Sequence, residues 1–316
     1  MDPTQIDAER SSWRGFNELK YLFIFGDSYS AVGFRPTFKN DNSEPTEEKP
    51  IGVDWPGYTW SDDQPIWVNH LINIYAEKTL LVYDYAEGGH RVLNVAMQVR
   101  KSFLRGAGRK DRDNAWTAED SLFVTWVGIN DIAGPINVDQ MLDTLFELQD
   151  EIYKAGVRNF LLFNIPPLPK QKKPSAMLER VADRRTLWND LLSQKLAIFA
   201  KTHPGSSTFL FDAHSLFTRI LESPESFGFS VDLDSGADMD GSIGPDVGMS
   251  MDGVIWCDHI HPTTVTHKII AREVAKYMTG QEEVLEREPR WMAKGEEEEE
   301  DEGMNFWKSE ADPAPV

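Results

Sequence analysis

The chain has 316 residues and a formal net charge of −20, and thirteen acids against four bases fall in 281–316 alone. A chain this acidic is repelled by nucleic acid and by anionic membranes over a Debye length of about 10 Å, so neither is an expected partner. One cysteine, Cys257, excludes an intrachain disulfide framework. In an apolar stretch a lone cysteine reads as a small packing residue rather than a nucleophile.

The opening residues Met1-Asp2-Pro3-Thr4 carry neither the basic start nor the apolar core of a signal peptide. No Asn-x-Ser/Thr acceptor occurs, and no apolar run approaches the ~20 residues that span a bilayer. Together these features point to a soluble, cytoplasmic protein.

Taken in chain order, the first apolar run is 21–25 (YLFIF), which stops at Gly26 and reads as a buried strand entering a turn. Further strand-like runs fall at 80–83, 122–127, 157–163 and 208–211. Helical periodicity covers about 64–76, 91–104, 138–155, 176–202, 213–222 and 263–278. Strands alternating with helices require crossover connections, so the expected fold is a three-layer α/β/α sandwich around a five-stranded parallel sheet. Residues 36–63 read as an ordered surface excursion and 223–256 as a long Gly- and Asp-rich loop. The domain division is an N-terminal segment 1–20, a folded domain 21–280, and an acidic tail 281–316 expected to be unpacked. Glu296 to Glu302 repel one another too strongly to pack, while Trp291, Phe306 and Trp307 flank that block and could dock on a surface or a protein partner.

In parallel sheets, ligands gather outside the carboxyl ends of the strands. Gly26-Asp27-Ser28 follows the first strand, Gly88-Gly89 the second, and Gly128-Ile129-Asn130-Asp131 the third. A serine on a strand-to-helix turn offers both an attacking hydroxyl and a backbone N–H for a developing oxyanion; a helix cap is the plainer alternative. The Asn130 amide is a suitable oxyanion donor, although Gly and Asn-Asp are also ordinary turn residues. Asp258 and His261, three apart in Asp258-His259-Ile260-His261-Pro262, place a carboxylate beside one imidazole nitrogen and leave the other for the serine. Pro262 reads as the start of the final helix and His259 as pointing elsewhere. This set supplies a nucleophile, an oxyanion donor and a general base held by a carboxylate.

These phrases, YLFIFGDSYS, YDYAEGG, LFVTWVGINDI, FLLFNIPPL and IHPTTVTHKIIA, resemble the GDSL or SGNH hydrolase family over about 20–280, and in particular its fungal acetylesterase-like branch. By that resemblance the four name-giving residues match Ser28, Gly89, Asn130 and His261, with Asp258 completing the triad. Gly89 rather than Gly88 takes the family position by spacing within its block. The resemblance implies a serine esterase removing acetyl or other short acyl groups from carbohydrate or small alcohol esters, with no cofactor. Residue 30 is Ser where the family nickname has Leu, and the leader of secreted relatives is missing, which leaves a wall-polysaccharide substrate less secure than ester hydrolysis. A lipase or thioesterase acting on longer chains is the enzymatic alternative, and a silent binding protein recruiting partners through its acidic tail is the non-enzymatic one.

Two further groups of residues stand out in the sequence. Asp232, Asp234, Asp238 and Asp240 lack the Gly and Glu positions of an EF-hand, so no metal is assigned. Trp55, Tyr58, Trp60 and Trp67 could stack on sugar rings, line an acyl pocket, or simply fill the core.

Overall fold

A computed structural model describes residues 12–36, 44–61, 63–109, 115–169, 176–229 and 253–292. Five strands, β1 (Tyr21–Gly26), β2 (Leu81–Asp84), β3 (Ser121–Trp126), β4 (Asn159–Phe163) and β5 (Ser207–Phe211), form one parallel sheet in the order β2-β1-β3-β4-β5. Every residue of β3 is buried, which is why the central run is continuously apolar rather than alternating.

The helices are α1 (Trp67–His70), continued by a π-helical turn Leu71–Tyr75; α2 (Val92–Met97), continued by a second, Gln98–Phe103; α3 (Ile129–Ile132); α4 (Val138–Lys154); α5 (Ala176–Thr202); α6 (Ala213–Glu222); and α7 (Thr264–Thr279). They cover both faces of the sheet. On one face Phe23 stacks between Tyr83 and Phe123, at 4.9 and 4.4 Å, while Phe103 and Phe199 close over the sheet from the α2 and α5 sides. On the other, Trp126 stacks on Phe163 at 4.6 Å beneath Trp67 of α1, and Tyr277 of α7 meets Phe211. The result is the α/β/α sandwich that alternation of elements calls for.

Three local expectations are corrected. No helix follows Ser28: the chain makes a single turn, with Ser30 and Ala31 N–H both donating to the Asp27 carbonyl at 3.1 Å, and then runs on irregularly. Pro262 does not begin the last helix. Thr263 is its N-cap, and Pro262 lies one residue before it, bridged to Trp256. Finally, the tail is not unpacked from 281. The buried amide of Asn73 donates to the Trp291 carbonyl at 2.8 Å and accepts from the Arg290 and Trp291 N–H groups, at 2.6 and 3.0 Å. Arg287 donates to the Tyr75 carbonyl, Glu286 joins Tyr75 and Lys268, and Trp291 packs against Trp55. The acidic block from Glu296, with Phe306 and Trp307, lies outside the described residues, as do Asp232, Asp234, Asp238 and Asp240 and most of the 223–256 loop. No described helix is long and apolar enough to cross a membrane.

Candidate active site

β1 ends at Gly26, where the neighbouring strand comes too close for any side chain: a Cβ there would lie 2.2 Å from the Trp126 carbonyl oxygen. The chain then turns, Asp27 Oδ1 accepting the Tyr29 N–H at 3.1 Å. Ser28 is thereby presented at the carboxyl edge of the sheet, 4 % exposed. The Tyr29 hydroxyl donates to the Ile260 carbonyl, tying the serine turn to the segment that carries the histidine.

That segment is held on both sides. Cys257 N–H donates to the His261 carbonyl at 2.8 Å and Thr263 N–H to the Ile255 carbonyl at 3.0 Å. The Cys257 thiol donates to the Pro262 carbonyl, so the cysteine acts as a small brace of the loop. Asp258 Oδ1 accepts the N–H groups of Ile260 and His261, at 2.8 and 2.7 Å, which leaves Oδ2 to meet His261 Nδ1 at 2.7 Å. His261 Nε2 lies 2.9 Å from Ser28 Oγ. With the proton of the imidazole on Nδ1, facing the carboxylate, Nε2 is the acceptor for the serine hydroxyl. Burial alone would raise the Asp258 pKa, but hydrogen bonds from the His261 side chain and from two backbone N–H groups outweigh it and hold the carboxyl at about 2. His259 is exposed and takes no part in these bonds.

Gly88 and Gly89 serve different purposes. A Cβ on Gly88 would strike the Trp60 indole at 2.4 Å, whereas Gly89 has open space but a φ of +76°, which side-chain-bearing residues rarely adopt. Among the described residues, the backbone N–H groups of Ser28 and Gly89 have no intramolecular acceptor. Asn130, in α3, donates to the His90 carbonyl at 3.0 Å through Nδ2, which retains a second proton. Two backbone donors and one amide thus lie on the segments that follow β1, β2 and β3.

The four aromatics separate in space. Trp67 is fully buried and donates to Ser30 Oγ, and Trp55 packs on Trp291. Trp60 and Tyr58, 44 % and 65 % exposed, line a cavity of about 400 Å³ that also touches Gly88, Glu87 and Lys101. Trp60 stacks on His261 as well, with ring centroids 5.3 Å apart. No cluster of His, Cys, Asp or Glu able to hold a metal occurs among the described residues.

Residue-by-residue reading missed two participants. Gln98 accepts the Gly26 N–H at 3.0 Å and donates to the Gly26 carbonyl at 2.8 Å and to His90 Nδ1 at 2.9 Å. Asp131, 2 % exposed, takes the Val92 N–H, and burial raises its pKa to about 6. For Gln98 a signal was present: a polar residue on the buried side of a helix whose other inward positions are Val92, Val95, Val99 and Phe103 must satisfy its amide internally.

A carboxylate, an imidazole and a hydroxyl in hydrogen-bonded series, beside donors that await an oxyanion, can transfer an acyl group from an ester to serine and then to water. Carboxylic ester hydrolases are the class in which this chemistry falls. The chain belongs to the GDSL-like lipase/acylhydrolase family, whose model matches residues 22–274. Among curated proteins it is 28 % identical to an acetylesterase of Thermothelomyces thermophilus, over 83 % of this chain and 89 % of that one. It is 22 % identical to an acetylesterase of Hypocrea jecorina, over 84 % and 90 %. A solved structure of a lipolytic G-D-S-L family protein from Veillonella parvula aligns with a TM-score of 0.45 at 12 % identity, covering 82 % of this chain and 98 % of that one.

Proposed function

We propose that this ester hydrolase removes acetyl and other short acyl groups from hydroxylated alcohols, carbohydrates among them, through an acyl-Ser28 intermediate. The observation that carries the reading is the series Asp258–His261–Ser28, with contacts of 2.7 and 2.9 Å. Ser28 Oγ attacks the ester carbonyl as His261 Nε2 takes its proton. Asp258, ionised down to about pH 2, faces the imidazolium that forms and fixes its orientation. The N–H groups of Ser28 and Gly89 and the free proton of the Asn130 amide receive the oxyanion. His261 returns its proton to the departing alkoxide, and water enters by the same route in reverse to free the acid.

Two considerations support a short acyl group on a hydroxylated alcohol. Two relatives, matched over 89 % and 90 % of their own length, carry the name acetylesterase. The leaving oxygen must lie beside His261, and the ring stacked on His261, Trp60, is also a wall of the adjoining cavity. Its rim carries Lys101 and the ion pair of Arg35 with Glu87, groups that serve hydroxyls better than a hydrocarbon chain. The test is turnover of acetyl, butyryl and decanoyl esters of one phenol, followed by acetylated oligosaccharides. A steep fall from acetyl to decanoyl with release of acetate from the saccharides is expected. Preference for decanoyl would establish a lipase or thioesterase instead.

A further inference from the structure

β2 stops short of the site. Its pairing with β1 ends at Ile24 and Asp84, whereas β3 follows β1 on to Gly26 and Trp126. In a parallel ladder the N–H and C=O of alternate residues face the same neighbour, so Gly26, like Ile24, turns both groups toward β2, where no strand remains. The Tyr85 N–H still reaches the Ile24 carbonyl at 2.8 Å, but two residues later only a longer contact, 3.3 Å from Glu87 N–H, meets the Gly26 carbonyl. The Gln98 side chain fills that gap. Its Oε1 accepts the Gly26 N–H and its Nε2 donates to the Gly26 carbonyl, the two bonds that a continuing β2 would have supplied from two of its residues.

The second Nε2 proton goes to His90 Nδ1 at 2.9 Å. Both Gln98 protons are then committed, which requires His90 Nδ1 to be the unprotonated nitrogen. His90 in turn offers its carbonyl to Asn130 Nδ2 at 3.0 Å. One buried amide therefore touches the strand end two residues before Ser28 and the residue next to Gly89, and through that residue holds Asn130. Ser28, Gly89 and Asn130 are the three donors assigned to the oxyanion, and Gln98 reaches each through a neighbouring residue. Gln98 also opens a π-helical turn, a local departure from α-helix that recurs at functional sites.

We infer that Gln98 is the positioning residue of the oxyanion site: it sets the spacing of the Ser28, Gly89 and Asn130 donors without touching substrate. The inference rests on the proposed acyl-serine reading, and tests of the two separate cleanly. Ser28→Ala and Asn130→Ala interrogate the reading; variants at Gln98 interrogate the inference.

Gln98→Met keeps the side-chain length and removes all three bonds, while Gln98→Glu keeps an acceptor for Gly26 N–H and loses both donors. In cooperatively folded Gln98→Met, kcat for an aryl acetate should fall by about 10- to 100-fold, below or at the low edge of the loss for deleting a donor outright, with KM within about threefold. Affinity for an alkyl boronic acid, which forms a tetrahedral adduct with the serine, should fall by a similar factor. Gln98→Glu should lie between Met and wild type, and it carries the same readouts if the Met variant does not fold. The decisive comparison is the double variant Gln98→Met/Asn130→Ala. If Gln98 works through the donors, the double loss is smaller than the product of the single losses. A multiplicative loss, or a kcat within twofold of wild type in folded Gln98→Met, would overturn the inference. So would a kcat deficit that vanishes when rates are expressed per fluorophosphonate-titrated site.

Discussion

Trp60 lies flat on His261, ring centroids 5.3 Å apart and planes inclined by 24°, so the general base has an aromatic wall on one side and the Asp258 carboxylate at its edge. An aromatic face attracts the positive charge that develops on the ring as it takes the serine proton, and such a contact is worth about 1 kcal/mol at a partly exposed position. Trp60→Ala should therefore lower kcat by about fivefold to tenfold, and Trp60→Phe by less. Steady-state kinetics on one aryl acetate for both variants checks this, and equal losses for Phe and Ala would remove the stacking from the account.

Asp258→Asn should cost several orders of magnitude in kcat, because the amide cannot stabilise the imidazolium and invites the wrong tautomer. The depressed pKa also has a stability consequence. A carboxyl at about 2 in the folded protein and ~3.9 when unfolded contributes stability above the unfolded value and loses it as pH falls from about 4 toward about 2. Acid melting curves of wild type and Asp258→Asn should converge over that window. Curves that remain parallel down to pH 2 would contradict the pairing.

Asp27 titrates in the opposite sense. Its Oδ2 is buried with no partner among the described residues, and desolvation, aided by Asp131, raises its pKa to about 7 against the pull of the Tyr29 N–H. A raised carboxyl contributes stability below the unfolded pKa of ~3.9 and loses it as pH climbs through about 7. Asp27→Asn keeps the Tyr29 bond and removes the charge. Its melting temperature relative to wild type should therefore be more favourable at pH 8 than at pH 5, as measured by thermal melts at both values. An equal difference at the two pH values would show Asp27 to be ionised in the folded state already at pH 5.

Truncation at 280 should lower the melting temperature by several degrees, since it strips Asn73 of three hydrogen bonds and uncovers Trp55. A chain ending at 292 keeps every one of these contacts and should melt close to full length. If the two truncations melt together, the segment 281–292 contributes nothing.

The strands were legible because a parallel strand buried on both faces is a short unbroken apolar run, and all five runs from YLFIF to TFLF match a strand within two residues. Ser28 and Asn130 were legible as chemistry because each follows such a run and topology alone carries strand ends to one edge, whereas Asp258 and His261 were legible from their spacing of three. Less was visible where a contact joins distant segments through one side chain. Nothing in a periodic pattern says that Gln98 will replace a missing strand, or that Arg290 and Trp291 will dock on Asn73, 217 and 218 residues away in sequence. The four aromatics near 60 differ only in what lies opposite them, so Trp67 in the core and Trp60 at the site could not be told apart. Helix α3, four residues long, is too short to show a period at all.

In the proposed reaction Ser28 carries the acyl group while His261 moves the proton. The most direct measurement is intact-protein and peptide mass analysis after rapid quenching of the enzyme with an aryl acetate, on wild type, Ser28→Ala and His259→Ala. Wild type and His259→Ala should carry an acetyl adduct on the peptide containing Ser28, and Ser28→Ala should show neither adduct nor turnover. An adduct on another residue, or turnover that survives in Ser28→Ala, would contradict it.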